Sequence, residues 1–345
     1  MEVIIVTEKE RFKRVISHEK VDRPPCISPG GMMNMITTDL MDICGIGWPE
    51  AHLNSEMMAN LALASFENNC FDNVGVPFCM TIEAEALGAK VTMGNRIFEP
   101  HVIEYAIDSV EQWKSLKKLD CNSGRAKIVL DAIKILKSKN IAAPIVGNIT
   151  GPISTASSVM EPVKFYKELR KKNKEAHEFL EFVTDEIIYF AKEQIKAGAD
   201  IIAISDPSGT GEILGPKYFE EFAVKYLNKI IDGIKEEVGT IVHICGQMKN
   251  VYDKVDMIKS DVLSFDSIVS ISEARKKLGS RVLMGNVSTY TLEFGDPKTV
   301  SNLTLNCVKN GSNIISPACG LGTKSPIENI QAMRRTLIEG VCNDD

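Results

Sequence analysis

Eight short apolar runs, each closed by Gly, Pro, Asn, Asp or Ser, constrain this chain more than any other feature. They are Pro25–Ser28, Asn73–Val76, Pro144–Gly147, Asp200–Ile204, Thr240–Ile244, Val262–Phe265, Arg281–Met284 and Asn313–Ser316. Longer stretches with helical periodicity separate them, the alternation expected of parallel strands joined by helices. Runs apolar on both faces suit a parallel sheet covered by helices, and eight of them point to an α/β fold closed as a (β/α)8 TIM barrel. An open doubly wound sheet is the weaker alternative. The 345 residues suffice for one such barrel domain spanning 1–345.

The clearest helical stretch carries Ala176, Phe179, Leu180, Val183, Ile187, Phe190, Ala191 and Ile195 on one face and stops at Gly198. Near the start, Thr7-Glu-Lys-Glu10 has the form of a capping box, followed by Phe12, Val15 and Ile16 on one side. This helix belongs to an N-terminal extension of about residues 1–24 and is expected to plug or flank the barrel. An insert of about residues 30–64, rich in Met and Gly, is placed to cover a mouth. Glu83 and Glu85, past the second run, are expected to face water.

The formal charge is 40 − 46 = −6, and no basic run exceeds Arg170-Lys171-Lys172, which leaves no electrostatic footprint for nucleic acid. The opening Met1-Glu-Val-Ile-Ile-Val6 is too short for a signal peptide, and no stretch approaches the ~20 apolar residues of a membrane span. A cytoplasmic protein without membrane partners is expected. In that reducing compartment the nine cysteines, an odd set without regular spacing, read as free thiols or metal ligands. Cys26, Cys44, Cys70, Cys79, Cys121, Cys307 and Cys342 read as core residues.

Chemistry concentrates where barrel strands end. Asn148 follows the third run, Asp206 the fourth, Asp266 the sixth and Asn286 the seventh. His243-Ile-Cys245 closes the fifth, so an imidazole and a thiol stand at i and i+2 and point the same way. Zinc favours nitrogen and sulfur, and three protein ligands with an open fourth position form the catalytic pattern. Cys319, in Pro317-Ala-Cys-Gly-Leu-Gly322 after the eighth run, is the best third ligand. Asp206 either caps its loop or serves the site, orienting His243 or taking up a proton.

His-x-Cys with a distant Cys in a Gly-rich loop resembles the zinc signature of the methylcobamide:coenzyme M methyltransferases, a branch of the uroporphyrinogen decarboxylase superfamily. The resemblance runs almost end to end, through Val21-Asp-Arg-Pro24, Gly47-Trp-Pro-Glu-Ala-His52, Ala84-Glu-Ala-Leu-Gly88, Ser205-Asp-Pro-Ser-Gly-Thr210, His243-Ile-Cys-Gly246, Met284-Gly-Asn286 and Ser316-Pro-Ala-Cys-Gly320. It implies a barrel of the uroporphyrinogen decarboxylase type with extra N-terminal helices, and Zn2+ on His243, Cys245 and Cys319. It also implies a corrinoid-binding partner protein carrying the methylcorrinoid donor, and a small thiol, coenzyme M or an analogue, as acceptor. Two departures set the chain apart from the decarboxylases. Between Cys26 and Glu50 there is no Lys or Arg to hold a polyanionic tetrapyrrole, and Cys79 stands where that branch has an Asp. One departure concerns the methyltransferases: Gln247-Met-Lys follows His-x-Cys-Gly, which bears on which thiol accepts the methyl. The same zinc and corrinoid chemistry with a different acceptor is therefore the alternative. A metal-free tetrapyrrole decarboxylase and a barrel with a purely structural zinc, closed by a fourth protein ligand, are more distant.

Overall fold

The computed structural model describes residues 6–341. Residues 1–5, which open the run read above as too short for a signal peptide, and Cys342 lie outside the described residues. In chain order the strands are β1 (Val74–Val76), β2 (Lys90–Thr92), β3 (His101–Glu104), β4 (Ile145–Thr150), β5 (Ile201–Ser205), β6 (Gly239–Ile244), β7 (Val262–Phe265) and β8 (Val282–Met284). Six of them form one parallel sheet in the order β1-β4-β5-β6-β7-β8. These correspond to the second to seventh apolar runs.

The first and last runs make single bridges in place of ladders, Ile314 with Met284 and Ile315 with Cys26. The carbonyl of Cys26 then accepts from the Asp72 amide at 2.7 Å, next to β1. The ring closes, with a thinly paired seam at Cys26 and Ile314–Ile315. β2 and β3 pair antiparallel as a separate hairpin that the apolar runs did not announce, because its residues are exposed or half-buried and carry no continuous apolar stretch.

Alternation along each strand divides the core in two. Val146, Ile201, Ala203, Ile241, Val262, Val282 and Ile314 face inward and pack together inside the ring. Their neighbours Ile202, Ile204, Val242, Ile244 and Leu263 face outward under the helices. The helix Glu8–Ile16, whose Thr7 hydroxyl accepts from the Glu10 amide at 3.2 Å, drives Phe12 and Val15 into the inner cluster. It plugs the barrel floor, and a Cβ on Gly239 at the start of β6 would lie 3.2 Å from the Phe12 ring. The long helix spans Asn173–Ala197 and ends at Gly198, whose φ of 120° favours glycine. Among the described residues no helix is long and apolar enough to cross a membrane.

The floor also holds a buried ion network. Asp72, fully buried, accepts from Arg23 at 2.5 and 2.8 Å, from the Cys26 amide at 2.8 Å and from Arg334 at 2.7 Å. The Val21-Asp-Arg-Pro24 motif is thereby explained as closure hardware at the end of the barrel away from the chemistry. Glu83 departs from expectation. It is buried and accepts from the Thr150 amide at 2.8 Å and hydroxyl at 3.0 Å, because the helix Ile82–Leu87 folds back over β4 instead of standing in solvent.

Candidate metal centre

Along the inward face of the strands the side chains change from apolar at the floor to polar at the mouth. In register across the sheet lie Thr150, Ser205, His243, Ser264 and Met284. His243 therefore points into the barrel and has Ser264 beside it on the next strand. Its Nδ1 lies 2.9 Å from Ser264 Oγ, while Nε2 lies 3.3 Å from Cys245 Sγ. With Nδ1–H donating to Ser264, the Nε2 lone pair is free for a metal, the usual way a ligating histidine has its tautomer fixed. Ser264 was not read as a site residue, since a Ser inside an apolar run carries no signal until the register sets it opposite His243.

The ligand atoms of His243, Cys245 and Cys319 all lie within 4.8 Å of one another. The chain reverses just past Cys245 at Gly246, with φ 78°. Past Cys319, a Cβ on Gly320 would sit 2.4 Å from the Met32 carbonyl, so the missing side chain lets the insert lie directly against the ligand loop. The Leu321 amide donates to the Asn34 carbonyl at 3.1 Å, fixing that contact.

The two sulfurs ionise as a pair. A hydrogen bond from Cys245 holds the Cys319 thiol well below the usual thiol range, against burial and with help from His243. Cys245 is correspondingly pushed up, by that bond, by burial and by the negative charges of Cys319, Asp266 and Asp206. Ionising one sulfur thus makes ionising the other harder. One imidazole and two thiols are the donor set zinc prefers, so these residues fit that ion. Among the described residues no fourth ligand joins the group.

Asp206 is fully buried and lies elsewhere than on the imidazole. It accepts from the Ser154 amide and hydroxyl, both at 2.7 Å, and from the Ile153 amide at 3.2 Å, at the start of the helix Pro152–Val159. Burial pushes its carboxyl up to about 6, against those hydrogen bonds. Ser264, and not Asp206, bonds the imidazole. Asn286 ties the Asp266 and Val269 carbonyls, both at 2.8 Å, and Asn148 donates to the Pro29 carbonyl at 2.7 Å, so both brace the rim.

Three groups at the mouth were not legible as site residues. Glu99, half-buried, has its carboxyl pushed up to about 8 by burial and then by the charge on Cys319. Arg125 is buried and donates to Glu85 at 2.5 Å, to the Thr81 hydroxyl at 2.8 Å and to Cys79 Sγ at 3.4 Å. His52 and Trp48, from the Gly47–His52 motif, are buried with rings 4.9 Å apart and no partner for their ring N–H groups. Burial and then Arg125 push the His52 imidazole down to about 3.

The uroporphyrinogen decarboxylase (URO-D) family matches residues 7–339. The chain is 33% identical over 330 residues to a methylcobamide:CoM methyltransferase of Methanosarcina acetivorans, covering 95% of this chain and 96% of that protein. It is 30% identical over 331 residues to a methylcobamide:CoM methyltransferase of Methanosarcina barkeri, with the same coverage of 95% and 96%. A solved methyltransferase from Methanosarcina mazei superposes with a TM-score of 0.90 at 30% identity, covering 97% of this chain and 99% of that one.

Proposed function

The chain belongs to the uroporphyrinogen decarboxylase family, in its methylcobamide:CoM methyltransferase branch, and on that footing we propose that it moves a methyl group from a protein-carried methylcorrinoid to a small thiol. The single observation that carries this reading is the group of His243, Cys245 and Cys319 at the barrel mouth, one imidazole nitrogen and two sulfurs with no fourth donor among the described residues. We assign these three to zinc. Held by these three residues, zinc would supply a Lewis acid that keeps a thiol ionised at neutral pH with its sulfur still nucleophilic.

The chain's own residues supply position and charge. Ser264 keeps the proton of His243 on Nδ1, which presents Nε2 toward the sulfurs. With Cys245 and Cys319 as thiolates and His243 neutral, these residues would balance the charge of a divalent cation before a thiol arrives. The insert, pressed against the Cys319 loop through Gly320 and Asn34, narrows the mouth around that sulfur. Transfer is one displacement: the methyl carbon bonds to sulfur, the carbon–cobalt bond breaks, and its electron pair stays on cobalt as Co(I). The thiol proton goes to solvent. Catalysis here is orientation and electrostatics, with the carbon chemistry left to the corrinoid substrate.

Coenzyme M, named in the relatives, is the reference acceptor. We place the reaction in the cytoplasm, where the eight free cysteines of the described residues stay reduced. The test mixes zinc-loaded protein with free methylcobalamin and a thiol and follows the corrinoid absorbance. Demethylation that depends on both thiol and protein is expected. Zinc-free protein that demethylates equally fast would sink the reading. Ser264→Ala is expected to weaken zinc binding by roughly 10–100-fold, because the imidazole loses the partner that fixes its tautomer. Competition against a chelator measures that shift, and unchanged affinity would assign Ser264 to packing alone.

A further inference from the structure

Met33 belongs to the start of the Met- and Gly-rich insert, yet its side chain ends inside the barrel. It is fully buried and packs in the inner cluster with Val146, Ile241 and Val262. The turn at Gly30 and Gly31, with φ of 96° and 59°, takes the chain in, and a Cβ on Gly31 would lie 2.9 Å from Asn148 Cβ. The Gly31 amide donates to the Pro77 carbonyl at 2.7 Å, and the Ser28 hydroxyl donates to the Met33 carbonyl at 3.1 Å. One residue on, the Asn34 carbonyl accepts from the Leu321 amide in the loop of Cys319. Met33 is thus clamped on both sides. Its Sδ lies 3.8 Å from Ser264 Oγ, the same hydroxyl that stands 2.9 Å from His243 Nδ1.

We propose that Met33 is a positioning residue: its thioether takes the Ser264 hydroxyl hydrogen and so keeps the His243 proton on Nδ1, with Nε2 left for the metal. The inference rests on assigning His243, Cys245 and Cys319 to zinc. Ser264 has one hydroxyl hydrogen and, among the described residues, two groups that can accept it, the Met33 sulfur and Nδ1. If the hydrogen goes to Nδ1, the imidazole proton sits on Nε2, the atom 3.3 Å from Cys245 Sγ, and occupies the ligand position. With the hydrogen on sulfur, the Oγ lone pairs face Nδ1 and accept from it. Both bonds of Ser264 are then made. A thioether is a weak acceptor, so what matters is that it gives the buried hydroxyl a second direction. Leucine at position 33 removes that direction, and the hydroxyl turns to Nδ1 because a buried O–H without an acceptor is costly.

Nitrogen NMR of zinc-free protein with labelled histidine reads the tautomer, and competition against a chelator reads zinc affinity. At mildly alkaline pH, where an ordinary imidazole is neutral, the unaltered protein is expected to carry the His243 proton on Nδ1. Met33→Leu, a nearly volume-conserving change that cores tolerate, is expected to move that proton to Nε2 and to weaken zinc binding about tenfold. Met284→Leu is the control: Met284 lies in the same inner cluster and in register beside Ser264, while the hydroxyl points to Met33. It is expected to move neither reading. A proton on Nε2 in the unaltered protein, or one that stays on Nδ1 in Met33→Leu, overturns the role of Met33 and leaves the metal centre standing. Equal shifts in the two leucine variants overturn it in favour of packing. Protein that takes up no zinc brings down the metal assignment and this role with it.

Discussion

Protein carrying Cys319→Ala is expected to purify folded, with less than about a tenth of the zinc of the unaltered protein, and to demethylate methylcobalamin roughly a thousandfold more slowly. Three ligands hold the proposed ion, and removing one leaves His243 and Cys245 on a single strand end with nothing opposite them. Cys319 is the informative position because it lies in a loop outside the strand ladders and is only half-buried, so its loss spares the barrel walls. Cys245→Ser should behave alike. Metal analysis and the corrinoid absorbance assay read the two effects separately. A variant that keeps one zinc per chain and full activity would remove Cys319 from the centre.

The second large effect is on stability. Asp72→Ala leaves Arg23 and Arg334 facing one another in the floor without their shared carboxylate. Breaking a buried pair by removing one member costs about 3–5 kcal/mol, and here the stranded charge is that of Arg23, since Arg334 keeps Glu8 at 3.2 Å and Asn69 at 2.8 Å. Chemical denaturation should show that loss, with turnover of the folded fraction intact, since the network lies at the opposite end from His243. A loss below about 1 kcal/mol would show that the arginines find other partners. The pH dependence has a definite sign. Burial works to raise the Asp72 carboxyl, but Arg23, the Cys26 amide and Arg334 hold it below its ordinary value. Its contribution is therefore fully present above the ordinary carboxylate range, near about 4, and is lost as pH falls through the lowered value.

The fold was legible because a parallel sheet covered by helices buries both faces of its strands, and eight such runs suit a closed ring better than an open doubly wound sheet. Those runs lie where the barrel segments lie, and the plug helix was marked by Thr7, Glu10, Phe12 and Val15. Periodicity could not show that the outer two runs pair through single bridges, since ladder length depends on how the ring closes. The β2–β3 hairpin escaped because three- and four-residue strands at the surface need no apolar pattern. At the site, His243 and Cys245 were visible through their spacing, and Cys319 through its place after the last run. Glu99 and Ser264 were not, since what surrounds them is set by residues distant in sequence: Cys319, whose charge acts on Glu99, and His243, one strand away from Ser264. Glu83 misled for a related reason. A glutamate in a polar stretch looks solvated until the short helix carrying it turns inward onto Thr150.

The thin seam and the third ligand share one stretch of chain. Ile314 and Ile315 close the ring by lone bridges, and Cys319 follows a few residues on. An ion held jointly by β6 and Cys319 would be a rivet from the firmly laddered wall to the loosely stitched one. Prying the seam apart would then mean pulling a ligand off, so that loading the ion would add to the stability of a ring that already stands without it. The act that arms the reaction would also tighten the vessel.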